Sequence, residues 1–444
     1  MASVIPFQLV VGGRDAAGYG LRATAAGRVA ECRLDLPPLP TDPHALGLML
    51  GQALFPPPVR QMLIDVARGA DEAGARLQIQ LSVAAPELVA LPWEWAALGE
   101  QSPWRPAVRD DYALMRVGRQ ARPRPTLPVA GPVRLLIACA PGAAAAAAAP
   151  LGHALAPAVR SGGLVVDLLR DTDPVSLREA LAEEPCHALH LVAADATGIG
   201  SAARLRFGRL VDATGLSNLL ADYRDLRLLT LAADLGAEAA ALASLAAELH
   251  ESLGLATITL GDLDNGQAAN FCGPCYAALS AGDPVDLAVT DGRVALEANN
   301  ELWGAPRLWA VPGAERLFVS MPVHETPAPA QRRNPSDDDD EGELVAPVGT
   351  PVRSRRKSTN WEQTAQQALT KARSFVVDVT TVGKPAQRPR TTPGPRPQLK
   401  LQVVILIVAS LALVLIVSQL LVLPTETPMV PTPIPTPTLP RFLP

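Results

Sequence analysis

From Arg134 to Ala310, short apolar runs alternate with stretches whose apolar residues recur at helical spacing. RLLIACA, GLVVDLL, HALHLVA, LRLLTLA and LATITLG are each followed by a stretch of that kind. Such alternation predicts a mostly parallel sheet with helices on both faces. In a sheet of that class, chemistry belongs at the carboxyl ends of the strands. Upstream, LQIQLSV, LPWEWAAL and YALMRV read as a strand and hairpin region that adds an antiparallel edge. The N-terminal MASVIPFQLVVGGRD lacks a basic leader and is too β-branched for a signal-peptide core, so it reads as a first strand. Apolar spacing is helical from Ala45 to Phe55 and from Val59 to Ala67, split by Pro56, Pro57 and Pro58. These edge strands and helices belong to one α/β domain over residues 1–320. The run Ala143 to Ala149 opens a helix or forms a loose loop.

The pattern changes beyond the domain. Residues 321–400 mix Pro, Arg, Thr and Asp without a sustained period, as a disordered linker does. Its charge is blocked: Asp337 to Asp340 with Glu341 and Glu343, then Arg353, Arg355, Arg356 and Lys357. These blocks suit pairing with each other, pairing with separate partners, or keeping the tether solvated and extended. Near 360–380, Trp361, Ala365, Ala368, Leu369, Ala372, Val376 and Val379 fall at helical spacing, with Asn360 as N-cap and Gln363 three residues on. From Leu401 to Leu423 the chain carries no charge and is long enough to cross a hydrocarbon core of roughly 30 Å. Arg388, Arg390, Arg396 and Lys400 precede this transmembrane helix and only Arg441 follows it, which places the large domain in the cytoplasm. The Pro/Thr-rich residues 424–444 then form an external tail in extended conformation. The lipid bilayer is thus one expected partner, and the cell membrane the expected location.

Composition narrows the remaining classes. A net charge of −5 and no basic stripe in the first 320 residues leave no footprint for a nucleic-acid backbone. The 5 cysteines, an odd and sparse set, are unlike a secreted disulfide framework and fit a reducing compartment. No cofactor is called for.

Several segments together resemble a known family. LPWEWAAL followed by YALMRVGR is similar to the LPWE and later Val-Arg elements of CHAT domains, bacterial caspase-like relatives of clan CD peptidases. HALHLVAADATG stands where that family has His-x-x-Gly-His-Gly, and LRLLTLAADLGAEAA where it has Leu-Asn-Ala-Cys. GLATITLGDLDNGQAANFCGPCYAALSAGDPVDLAV and NELWGAPRLW resemble its closing elements, so the likeness runs from about residue 75 to 312. It implies a caspase-like fold with a peptide groove, and partners in bacterial signalling or defence assemblies.

The resemblance also implies a catalytic dyad that this chain lacks. The family's His position falls on Ala194, and its Cys position on Ala233, or on Asp234 after a slip of one. None of these can supply the thiolate and imidazole of cysteine-peptidase chemistry. The expectation is a pseudo-peptidase that binds a protein or peptide partner. The alternative is an active cysteine peptidase with a shifted or unrecognised dyad, for which Cys139 and His190 are one conceivable pair; otherwise His190 is a core residue. Cys272-Gly-Pro-Cys275 matches the thioredoxin string but falls inside a helical pattern. Asp195, Asp234 and Asp262 would end adjacent parallel strands, an acidic crevice suited to Mg²⁺, Ca²⁺ or a basic segment, unless each caps the following helix.

Overall fold

The computed structural model describes residues 3–321 apart from 17, 100–102, 110, 234–238 and 300–301. The chain separates into two compact units, Met1–Arg373 and Ser374–Leu443, and the second lies wholly outside the described residues. So do Asp234, the predicted linker from residue 322 on with its helix near 360–380, the span 401–423 and the tail 424–444. Among the described residues no helix is long and apolar enough to cross a membrane.

The N-terminal part comprises β1 (Val4–Asp15), β2 (Gly18–Ala25), β3 (Arg28–Leu34), α1 (Pro43–Leu54), α2 (Pro57–Glu72), β4 (Arg76–Val83), α3 (Pro86–Val89) and β5 (Tyr112–Arg116). After β6 (Leu127–Ala130) come β7 (Val133–Cys139), α4 (Ala144–Arg160), β8 (Leu164–Leu169), α5 (Pro174–Glu183) and β9 (Ala188–Ala193). A small sheet of β10 (Asp195–Thr197), β11 (Arg204–Phe207) and β12 (Arg209–Val211) precedes α6 (Ala213–Leu220), β13 (Leu228–Ala233), α7 (Ala239–Leu253) and β14 (Ala256–Thr259). The series closes with α8 (Asn265–Ser280), α9 (Val285–Ala298), β15 (Arg307–Trp309) and β16 (Phe318–Met321).

The main sheet is 11-stranded, in the order β3-β2-β1-β4-β5-β15-β14-β13-β9-β7-β8. It is mixed and mostly parallel. Only β3–β2, β2–β1 and β15–β14 run antiparallel. The crossover from β7 to β8 steps one way along the sheet, whereas those from β8 to β9, β9 to β13 and β13 to β14 step the other way. Right-handed crossovers therefore put α4 on one face and α5, α6 and α7 on the opposite face. Both α8 and α9 join α4, since α8 packs against each. Strands covered on two sides need apolar residues throughout, and β9 is buried at every position.

One expected feature is corrected. LQIQLSV and YALMRV form no antiparallel hairpin edge: β4 pairs parallel with both β1 and β5. The connection from Val83 to Tyr112 is long enough for a crossover, with LPWEWAAL supplying a 3-10 turn at Trp93–Trp95. Most of β4 is buried, which suits an interior strand. The antiparallel edge is instead β1–β2–β3, and Ala26 and Gly27, both at positive φ, make the two-residue turn between β2 and β3. The prolines act as the sequence implies. α1 ends at Leu54 and Pro57 opens α2, where a missing N–H costs nothing. The alanine run becomes the first turns of α4.

Candidate functional site

The crossovers change direction between β7 and β9, so the crevice of this sheet lies beyond the carboxyl ends of β7, β9, β13 and β14. Here the register sets Ala233 opposite Ala193, and Ala194 is the next residue along. Ala194 and Ala233 are therefore neighbours on adjacent strand tips, both partly exposed, and neither bears a reactive group. The Ala194 amide donates to the Arg206 carbonyl at 3.0 Å, which ties the tip of β9 to the small β10–β12 sheet.

Of the three aspartates expected at this mouth, two are described and each faces an arginine. Asp195 begins β10 rather than capping a helix, and its Oδ2 stands 3.9 Å from Arg206 Nε. Asp262 Oδ2 stands 3.5 Å from Nη2 of the buried Arg307, whose Nη1 donates to the Ala239 carbonyl. Burial pulls the Arg307 guanidinium down to about 10. Among the described residues no group of three or more His, Cys, Asp and Glu side chains could hold a metal ion. Beside the crevice, Asp264 caps α8 through the amides of Gly266 and Gln267, with Gln267 reaching back to the Asp264 amide. A hollow of about 490 Å³ lined by His153, Asp264, Gln267 and Asn270 lies between the start of α8 and α4.

The thiols and imidazoles are set for packing. Cys139 is buried, pairs in register with Val192, and its thiol is pushed up to about 12 by burial. His190 pairs with Ile137 and Thr230, one row deeper, and its Nδ1 lies 3.2 Å from the Tyr276 hydroxyl. That hydroxyl also meets Thr230 Oγ1 at 2.8 Å. Full burial lowers the His190 imidazole to about 4, so it is neutral at ordinary pH. Cys272 and Cys275 lie two turns inside α8, away from the helix N-terminus where a thioredoxin-type thiolate is stabilised, and burial raises both thiols. No hydrogen bond joins a cysteine to a histidine among the described residues.

The motif residues converge elsewhere. Arg116 grips Glu94 with Nε at 2.8 Å and Nη2 at 2.6 Å, donates to the Val89 and Leu91 carbonyls, and lies over the Trp309 ring at 4.9 Å. Trp95 packs on Trp303, and Arg293 donates to the Leu114 and Pro306 carbonyls. Burial alone would push the Glu94 carboxyl up, but Arg116, with Arg293 and Arg307 behind it, outweighs burial and holds it below the usual carboxylate range. LPWE, the Val-Arg strand and the closing Trp segment thus form one buried cluster with a structural role. The alternation in RLRF sets Arg206 on an outward face, a local signal for the partner of Asp195, whereas nothing local marks Arg307 as the partner of Asp262.

No family model matches the chain, and no curated protein matches it. Among solved structures it resembles the Saccharomyces cerevisiae separase–securin complex, at 11% identity over 53% of this chain and 15% of that one, with a TM-score of 0.30. The chain thus spans a small part of that protein, and an overlap of this size carries no argument about its chemistry.

Proposed function

We propose that this chain is a membrane-tethered, caspase-like module of the CHAT type that holds a protein or peptide partner without cutting it. The observation behind this reading is the pair of strand tips: the positions where the resemblance puts His and Cys are Ala194 and Ala233, side by side, and neither bears a nucleophile or a base. The order of strands and helices along the chain supports the caspase-like part, and the convergence of the motif residues around Glu94 supports the CHAT part. With Arg206 and Arg307 beside Asp195 and Asp262, the crevice offers mixed charge, which suits a peptide better than a bare divalent cation. Bacterial signalling or defence assemblies are the setting that the resemblance suggests.

A thiol-directed electrophile tests the reading. The native chain is expected to label at every buried cysteine more slowly than a model thiol, and fully only in denaturant. One cysteine reacting far faster than the model thiol, with peptide cleavage lost on its alkylation, would overturn it.

A further inference from the structure

Arginines gather at the amino end of the β7, β9 and β13 strands, opposite the crevice. Arg124 donates through Nε to the Leu253 carbonyl at 3.1 Å and through Nη1 to the Tyr223 and Leu226 carbonyls at 2.7 and 3.1 Å. Arg227 donates through Nε to the Pro125 carbonyl at 2.6 Å and through Nη1 to Leu226, again at 3.1 Å, and to Arg224. Two guanidinium groups therefore meet at one carbonyl oxygen, and no described carboxylate bonds to either. Carbonyls orient these cations without neutralising them. Burial holds the Arg124 guanidinium below its usual range, and the Arg227 charge adds to the effect. Arg122 and Arg224 flank the pair and are exposed, as is Arg316, whose carbonyl accepts from Thr126 Oγ1 at 2.8 Å. Against these stand Asp222, Asp225 and Glu251, the last held on the Arg119 and Gln120 amides, so arginines outnumber carboxylates and the patch is basic.

The described chain also leaves the domain at this end. β16 pairs parallel with β6, Phe318 against Leu127, and the Phe318 ring stands 6.2 Å from that of His187. The His187 carbonyl accepts the Arg227 amide at 2.9 Å. Beyond Met321 the chain is acidic from Asp337 to Glu343, with four consecutive aspartates. The 15 residues between, 322–336, reach on the order of 50 Å when extended, far more than the short strand β16 leads away from the patch. We propose that the acidic run Asp337–Glu343 docks on this arginine patch as an intramolecular clasp. Exposed ion pairs are weak singly, but the tether holds the two charge blocks at high effective concentration, and several pairs act together.

Phenylglyoxal modification of the full-length chain, read out residue by residue by peptide mass spectrometry, tests this. Neutralising the run (Asp337→Asn, Asp338→Asn, Asp339→Asn, Asp340→Asn, Glu341→Gln and Glu343→Gln) leaves the described domain untouched. In that variant Arg122 and Arg224 are expected to react several-fold faster than in the native chain at low salt, and the difference should vanish at high salt. Equal rates at Arg122 and Arg224 in the two proteins would refute the clasp. So would a gain confined to Arg353, Arg355 and Arg356, which would mean that the acidic run pairs with the neighbouring basic block instead.

Discussion

At the scale of single residues, the largest electrostatic commitments are buried and structural. Glu94 is the described carboxylate that offsets Arg116, and Arg293 and Arg307 lie close enough to lower its pKa as well. Glu94→Gln keeps the shape and removes the charge, leaving the buried Arg116 without its carboxylate. It should destabilise the domain by about 3–5 kcal/mol, measured by chemical denaturation. His190 gives a second, pH-dependent effect. Its folded pKa of about 4 lies below the unfolded value of 6.5, so between those values the unfolded chain binds a proton that the folded chain does not. Stability is therefore fully present above pH 6.5 and falls as pH drops toward 4, by on the order of 3 kcal/mol from this group. Denaturation curves of His190→Gln should show a flatter acid limb. His190 was legible in the sequence as a core residue because it lies inside an apolar strand. Its partner Tyr276, 86 positions away, was not, because only sheet and helix packing bring the two together.

At the scale of elements, β7, β8, β9, β13 and β14 were legible because strands of a covered parallel sheet carry apolar runs, whereas the short β10, β11 and β12 lie outside any such run. The Asp264 cap rests on local hydrogen bonds between Asp264 and Gln267, a pattern that the sequence Asp-Asn-Gly-Gln itself carries. The direction of β4 and β5 was not legible. The same alternation serves a parallel or an antiparallel neighbour, and the long route through α3 and Trp93–Trp95 decided for parallel. Helix ends carry tight constraints of their own. Gly254 follows α7 at φ +64°, its amide bonds to the His250 carbonyl, and a Cβ there would overlap the Arg122 carbonyl oxygen. Gly254→Ala should lower the thermal midpoint, with at least about 1 kcal/mol lost to the left-handed backbone alone. A midpoint equal to that of the native chain would mean that the 119–125 segment shifts freely.

At the scale of the whole molecule, the proposed membrane tether is the reading most open to a direct test. If Leu401–Leu423 spans a bilayer, the full chain should stay with membranes through alkaline carbonate extraction, whereas a chain ending at Lys400 should be released. Release of both would remove the span. The sequence by itself determined the class of the sheet, the succession of its main strands along the chain and the absence of His and Cys at the matched positions. Periodicity and residue identity are local properties that a chain states outright. Tertiary structure alone decided that Asp195 and Asp262 face Arg206 and Arg307, and that the motif residues close into one buried cluster. Each of these depends on register and packing between segments far apart in the chain, which no local pattern encodes.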